Sequence, residues 1–564
     1  MAMLQQRPAM LGTRAEARSA RGVVSAGHAH AVRAGVQALE QGGNAIDAVI
    51  AGAFAAFVAE PNNAGIGGYG HLSAFVAGGT GFLTVDHGPR APAAARADMF
   101  EVIDSDLDGH DWPGVVDDRN YIGALAPAVP GAVAGLWAAH QRAGRLDWET
   151  LLAPAIELAQ TGLEVTWVLQ IEIGNRFAEI AARPDLAAIV LPQGRIPRSR
   201  NADGAGEPLN QAELAGTLRR IAAEGPDAFY RGAVAAAIES ALATGGGVMT
   251  AADLAAYAPR VLSEAPATYR GLDYITATDT VGYETLGILE QFDLAATAPA
   301  GAENLHLLAE AMGHAFADGA TYSDDPDFTT DPVADLGGPA FAATRAAAIR
   351  ADRATARPIV PAAPWLAPGD APRPTSAGGV HGTTQVVAAD RDGNLAALIT
   401  TIGADFGSLV AVPGTGIILN NSMINYDPRP GRSNSIAPGK MPFFAVPTLV
   451  AARDGRAAFA AAGSGGYPIL AGVINTTVGV VDHGLGVQAA IDLPRVHSQG
   501  HRTFVDSRAG AATVAQLREL GHDVVVQDVT PGELAFSRVS AVTVQDGTLA
   551  AGAGPAWSTA VGGL

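Results

Sequence analysis

The pattern of this 564-residue chain changes character once, abruptly, and that change limits what it can fold into. Before it, apolar residues recur mainly at helical spacing. After it, they fall into short runs bounded by turns. The divide is 354–382, where six prolines stand between Pro358 and Pro374 and Gly378 and Gly379 follow. Such a stretch supports neither a helix nor a sheet ladder and reads as an irregular, exposed connection. It ends at Gly382-Thr383-Thr384. Thr383–Ala389 then reads as a strand, 390–394 (Asp-Arg-Asp-Gly-Asn) as a hairpin turn, and Leu395–Ile402 as the returning strand. The segments 416–419, 447–452 and 457–462 are further strand candidates, and 469–481 is a helix with a glycine break.

Upstream, 29–58 reads as two helices parted at Gly42-Gly43, with Asn44 capping an alanine-rich second helix. Residues 64–70 form a glycine-rich turn, and 72–77 and 82–85 alternate as strands. Helical patterns broken at prolines fill 130–260, and 303–320 is a further helix. Hydrophobic residues at 48% and charged residues at 16% describe a globular chain. At roughly 150 residues per domain, the length suits three or four domains, or one large layered unit.

Composition removes whole chemistries. There is no cysteine, so thiol nucleophiles, disulfides and thiolate-bound metals are excluded. Lys440 is the only lysine, and its surroundings do not make a phosphate-binding loop. A net charge of −20 argues against nucleic-acid and anionic-membrane partners. No apolar run follows Arg7, Arg14, Arg18 and Arg21, so a cytoplasmic location is expected. No cofactor is expected. The Gly65–Gly70 turn lacks the acid of a dinucleotide site. Asp324, Asp325 and Asp327 read as a solvated loop rather than a metal site, and His28 and His30 as structural.

The remaining hydroxyl nucleophiles are few. Ser464, in Ala462-Gly463-Ser464-Gly465-Gly466, lacks the spacing of a serine elbow. A threonine can instead use its own α-amine as base, provided that cleavage makes it N-terminal. Thr383 sits after an irregular connection and a small residue, as this requires. Taken alone, the local pattern reads rather as an ordinary strand start.

A series of matches runs through the chain. It includes Gly42-Gly43-Asn44-Ala45-Ile46-Asp47-Ala48, Glu60-Pro61, Gly65-Ile66-Gly67-Gly68, Ala91-Pro92-Ala93-Ala94 and Pro130-Gly131. It continues through Gly382-Thr383-Thr384, Thr400-Thr401, Leu419-Asn420-Asn421 and Gly463-Ser464-Gly465-Gly466. In order and spacing this resembles the γ-glutamyltransferase family of N-terminal nucleophile hydrolases. The resemblance implies an α+β fold, a four-layer αββα sandwich built jointly by two subunits of one precursor. Those would be residues 1–382 and 383–564, parted by self-cleavage between Gly382 and Thr383. It implies Thr383 as nucleophile, Thr401 as its hydrogen-bond partner, and Gly465 and Gly466 as the oxyanion hole.

The pocket departs from the family pattern. The arginine that clamps the substrate α-carboxylate aligns with Gly88; Arg90 is the candidate replacement, or else a structural arginine. The carboxylate that receives the α-ammonium is replaced by Asn425. Ser422 stands for an acidic or amide residue, and Phe443-Phe444 for a serine pair, as pocket walls or as plain core packing. These changes imply a small-molecule acyl or amide substrate other than an ordinary γ-glutamyl donor. The acyl group would be more apolar, or would carry a carboxylate without an α-amine. Acylases, oxamate-type amidohydrolases and hydrolases of a C–C bond beside an oxalyl group are the related activities. A non-catalytic metabolite binder is the alternative.

Overall fold

The computed structural model describes residues 15–103, 112–200, 204–277, 279–328, 333–362, 382–443, 445–529, 536–554 and 558–564. Two antiparallel seven-stranded sheets face each other between layers of helices. One sheet runs Ala560–Gly563, Gly22–Ala26, Gly382–Asp390, Leu395–Gly403, Tyr69–Val76, Gly81–His87 and Arg260–Leu262. The other runs Ala17–Ser19, Thr548–Ala553, Arg538–Gln545, Arg456–Ser464, Leu449–Arg453, Leu272–Ile275 and Ala267–Tyr269. This is the expected αββα sandwich. Residues from both sides of Thr383 contribute strands to each sheet, so the chain forms one layered unit rather than three or four domains.

The strands Gly382–Asp390 and Leu395–Gly403 lie at the centre and are buried throughout. That is why their apolar residues run nearly unbroken rather than alternating. One face packs on the helix Ala45–Ala59, apolar but for Asp47 and buried along its whole length, as an all-round apolar helix must be. Asn44 caps it, accepting from the Ile46 and Asp47 N–H, while Asp47 accepts from the Asn44 N–H. Asp390 locks this helix to the hairpin. Its carboxylate accepts from the Ala45 N–H at 2.8 Å, from the Asn394 amide at 2.7 Å and from the Asp392 N–H at 2.9 Å.

Several sequence expectations change on folding. Pro154 lies inside the helix Trp148–Thr161 without ending it. Pro468–Val481 is one helix, and Gly472 is no break in it: a Cβ there would collide with the Ser537 hydroxyl. The glycine-rich turn serves close approach, because a Cβ on Gly68 would strike the Thr401 carbonyl. The candidate strand at 416–419 is a two-residue strand, Ile417–Ile418, paired with Ala411–Val412. The connection is not exposed throughout: Ile359 is buried, and its N–H donates to the Gly500 carbonyl. Its later part, 363–381, lies outside the described residues.

The Asp loop is also different from expectation. Asp324 and Asp325 are buried, not solvated. Lys440 pairs with Asp324 at 2.9 Å, and Arg260 bridges Asp325 and Asp327. Among the described residues no helix is long and apolar enough to cross a membrane.

Asp390→Ala removes an acceptor from several buried N–H groups, so it should cost about 2–3 kcal/mol of stability. Asp392→Ala, which breaks exposed pairs with Arg145 and Arg391, should cost less than about 1 kcal/mol. Denaturant midpoints of the two variants would show whether the cost follows burial.

Candidate active site

The nucleophile candidate stands at a defect in the central ladder. Gly382 pairs with Gly403 and Thr384 with Thr400, which leaves Thr383 opposite both Thr401 and Ile402. Such a bulge re-aims the local side chain. Thr383 Oγ1 lies 2.8 Å from the Gly382 carbonyl oxygen and 3.3 Å from Thr401 Oγ1. The Thr401 hydroxyl donates to that same carbonyl and accepts from the Gly403 N–H at 2.8 Å. Each hydroxyl has one proton. The arrangement that uses both runs from Thr383 to Thr401 to the Gly382 oxygen.

Behind the threonine lies a network that sequence reasoning missed. Arg538 is 1% exposed. It donates to the Thr383 carbonyl at 2.5 Å, to Ser464 Oγ at 2.7 Å and to Glu60 Oε1 at 3.4 Å. Thr384 Oγ1 donates to Glu60 Oε2 at 2.5 Å. Burial pulls the Arg538 pKa down and the Glu60 carboxylate opposes it. Ser464, the weaker nucleophile candidate, is thus a fully buried partner of this arginine. Glu60 closing an apolar helix was a visible signal; Arg538 had none nearby.

A second buried set flanks Gly382. Asn62 donates to Asn63 Oδ1 at 3.1 Å and to Asp405 at 3.5 Å. A Cβ on Gly382 would sit 2.8 Å from the Asn62 carbonyl, so only glycine fits there. Glu172 hydrogen-bonds Asp405, and burial followed by the Asp405 charge pushes Glu172 up to about 8. One proton is therefore shared by this pair near neutral pH.

The cleft over Thr383 encloses about 650 Å³ out to solvent and is walled by Tyr69, His71, Asp86, Asn425, Gly466 and Tyr467, among others. Gly465 and Gly466 follow the strand Arg456–Ser464 at φ 120° and 68°. This left-handed turn suits glycine. No backbone carbonyl among the described residues accepts from either N–H. Burial pushes His71 down to about 4 and Tyr69 up to about 12, so both are neutral near pH 7.

A family profile described as Gamma-glutamyltranspeptidase matches residues 31–563. The chain is 37% identical over 516 residues to the acylase ACY 1 proenzyme of Pseudomonas sp. strain SE83, covering 90% of this chain and 88% of that one. The chain belongs to the γ-glutamyltranspeptidase family. It is 32% identical over 540 residues to the glutathione hydrolase proenzyme of Pseudomonas aeruginosa, covering 92% and 91%. The cephalosporin acylase of Bacillus halodurans superposes with a TM-score of 0.84 at 26% identity, covering 100% and 99%. The protein is accordingly an N-terminal nucleophile hydrolase of the γ-glutamyltranspeptidase family.

Arg90 is not the displaced clamp. Its backbone pairs on both sides with Val129, and its guanidinium donates to the Gly439 carbonyl at 3.1 Å and faces Asp327 at 3.9 Å, away from the cleft. Gly88 does line the cleft, with Met441 Sδ only 2.8 Å from where a Cβ would be. Asn425 faces the cleft and donates to Tyr69 Oη at 3.2 Å and Ser422 Oγ at 3.1 Å. Ser422 is fully buried and supports Asn425 rather than lining the cleft. Phe443 lines an adjoining chamber, and Phe444 lies outside the described residues. The one His/Glu group among the described residues that could gather round a metal is His306, Glu310 and His522. Its ligand atoms are already engaged: His306 and His522 bond each other at 2.7 Å, and Arg357 holds Glu310 at 2.5 Å.

The folded state keeps a proton on Glu172 that the unfolded chain releases, so this group's contribution is complete below the ordinary Glu range and fades as pH rises through about 8. Glu172→Gln should therefore shrink the loss of stability between about pH 5 and about pH 8 by about 1–3 kcal/mol. Unfolding midpoints across that range, wild type against variant, measure it.

Proposed function

We propose that Thr383 acts twice. In the precursor its Oγ1 attacks the Gly382 carbonyl carbon while Thr401 donates to the carbonyl oxygen. The peptide bond shifts to an ester, which water cleaves, giving a Gly382 carboxylate and a free Thr383 α-amine. The boundary between a large subunit, 1–382, and a small one, 383–564, follows. The observation that carries this reading is the bulge, which holds one threonine hydroxyl against the scissile carbonyl and a second donating to it.

In the mature enzyme the freed amine takes the Oγ1 proton as Oγ1 attacks a substrate amide. The N–H groups of Gly465 and Gly466 hold the tetrahedral oxyanion. The leaving amine takes up the proton, and water or an amine acceptor releases the acyl group. Arg538 positions the nucleophile by fixing its carbonyl.

The acyl group is not γ-glutamyl. No Lys or Arg is among the described residues lining the cleft, so an α-carboxylate finds no counter-charge. Asn425 cannot replace a carboxylate opposite an ammonium. A carboxylate-bearing acyl group without the amine, oxalyl included, meets the same lack. The acylase relative at 37% identity supports amide hydrolysis with a different acyl half.

Wild-type protein should yield two fragments, the smaller beginning at Thr383, while Thr383→Ala stays whole and inactive. Intact mass and N-terminal sequencing decide this. An apolar acyl p-nitroanilide should exceed γ-glutamyl-p-nitroanilide in kcat/KM by about 100-fold, as expected when two charged partners are missing. Preference for the γ-glutamyl compound would sink the substrate reading.

A further inference from the structure

A chamber of about 1600 Å³, counted out to solvent, opens off the nucleophile cleft. The two share His71, Asp86, Gly88 and Val446. Gly88 and Phe443, on its wall, are positions to which the resemblance assigns acyl-binding groups, and the chamber shares four lining residues with the cleft over Thr383. The chamber therefore lies on the acyl side of Thr383.

Its charge is one-sided. Asp86, Glu264, Asp279, Asp324 and Asp325 line it, against Arg260 alone. Three of these acids are compensated. Arg260 holds Asp325 and lies 3.8 Å from Asp86, and Lys440 holds Asp324. Asp279 and Glu264 are in no ion pair with any described residue.

Each also keeps an unused oxygen. Asp279 is 6% exposed and caps the helix Thr280–Leu289 through Oδ1, which accepts from the Val281 N–H at 3.1 Å. Its buried Oδ2 has no hydrogen-bond partner. The cap satisfies Oδ1, while the Gly282 N–H turns toward the carboxylate without completing a bond to Oδ2. Glu264 Oε2 accepts from Tyr283 Oη at 2.9 Å, while its Oε1 is buried without a partner. His71 Nε2, at the mouth between cleft and chamber, is likewise unpartnered. An idle buried carboxylate oxygen is costly unless a donor arrives. Burial accordingly pushes Asp279 up to about 7.

We propose that this chamber is the far half of the acyl site and receives an acyl chain ending in an ammonium or guanidinium group, anchored by Asp279 and Glu264. The proposal rests on the acyl-hydrolase reading above. It adds that the cleft at Thr383, whose one acid, Asp86, faces Arg260, and the anionic chamber beyond it select one molecule: an uncharged stem with a cationic end. A carboxylate-ended acyl chain is repelled at the same place.

The test compares p-nitroanilides of unbranched acyl chains that end in methyl, amino or carboxyl groups, over increasing chain length. At the best length, the amino-ended substrate should exceed the methyl-ended one in kcat/KM by about tenfold or more, the effect of one charge-assisted hydrogen bond. The carboxyl-ended substrate should be the poorest. Asp279→Asn keeps a good helix cap and Glu264→Gln keeps an acceptor for Tyr283. Each should pull the amino-to-methyl ratio toward one. A wild-type ratio of one or below, or a ratio that neither substitution moves, overturns the proposal.

Calorimetric binding of 5-aminopentanamide and pentanamide to the mature protein separates this from the hydrolase reading. If the amino amide binds, loses affinity in both variants, and no p-nitroanilide is cleaved, the chamber stands and the hydrolase reading falls. Cleavage without preference for the amino end leaves the hydrolase reading and removes the chamber's role. Neither binding nor cleavage overturns both.

Discussion

One buried guanidinium ties the layers of this protein together. Arg538 belongs to the second sheet, where it pairs in register with Ser464. It reaches across to the Thr383 carbonyl on the first sheet and to Glu60 at the end of the helix beneath. A lone charge in such a place would be prohibitive, and a paired one is tolerable only with good geometry. The geometry fixes the spacing of three layers at the point where the nucleophile emerges. Among the described residues, the Thr384 and Ser464 hydroxyls that close the network have no side-chain hydrogen bond outside it. The bulge at Thr383 is held from behind by this frame, and a local defect becomes a reproducible position for one hydroxyl.

Much of this was legible beforehand. The hairpin around 390–394, the Asn44 cap and the buried alanine-rich helix follow from local rules, because their partners lie close in sequence. Thr383, Thr401 and the Gly465-Gly466 pair were legible only through order and spacing over the whole chain; the local pattern at Thr383 is that of any strand start. Illegible residues were those whose partners arrive from afar. Arg538 meets Thr383 across 155 positions. Arg90 stood open between a clamp and a structural arginine, because its direction follows from backbone pairing with Val129, which no side-chain pattern encodes. Asp324 and Asp325 looked like a solvated loop because Lys440 and Arg260, which bury them, lie more than 60 residues away. Ser422 was assigned to the pocket by alignment, yet it points at Asn425 from behind.

On the proposed reading, a family reaction is kept while the acyl group it accepts changes. Thr383 and Thr401 sit on the central ladder, where every neighbour is buried and change is costly. The groups that would read the substrate sit on the segments around Gly88, Asn425 and Phe443, at the edge of the sandwich. There a side chain can be lost without opening the core. Gly88 lines both the cleft and the adjoining chamber, and Met441 packs against it so closely that a Cβ there would meet its sulfur at 2.8 Å.

The strand Ala560–Gly563 pairs with Gly22–Ala26, whose other neighbour is the strand of Thr383. Nearly the two ends of the chain are thus stitched to each other beside the nucleophile. A cut before Thr383 leaves every one of these pairings in place, so the folded object barely changes. The refolding reaction changes in kind. An intact precursor regains its sheets in a first-order process, whereas two separated pieces must first collide, and neither piece owns a complete sheet to wait with. Cut there, the fold would mature as a ratchet: the sandwich would be assembled once, as a single chain, and its later persistence would depend on how slowly it opens rather than on how readily it could form again.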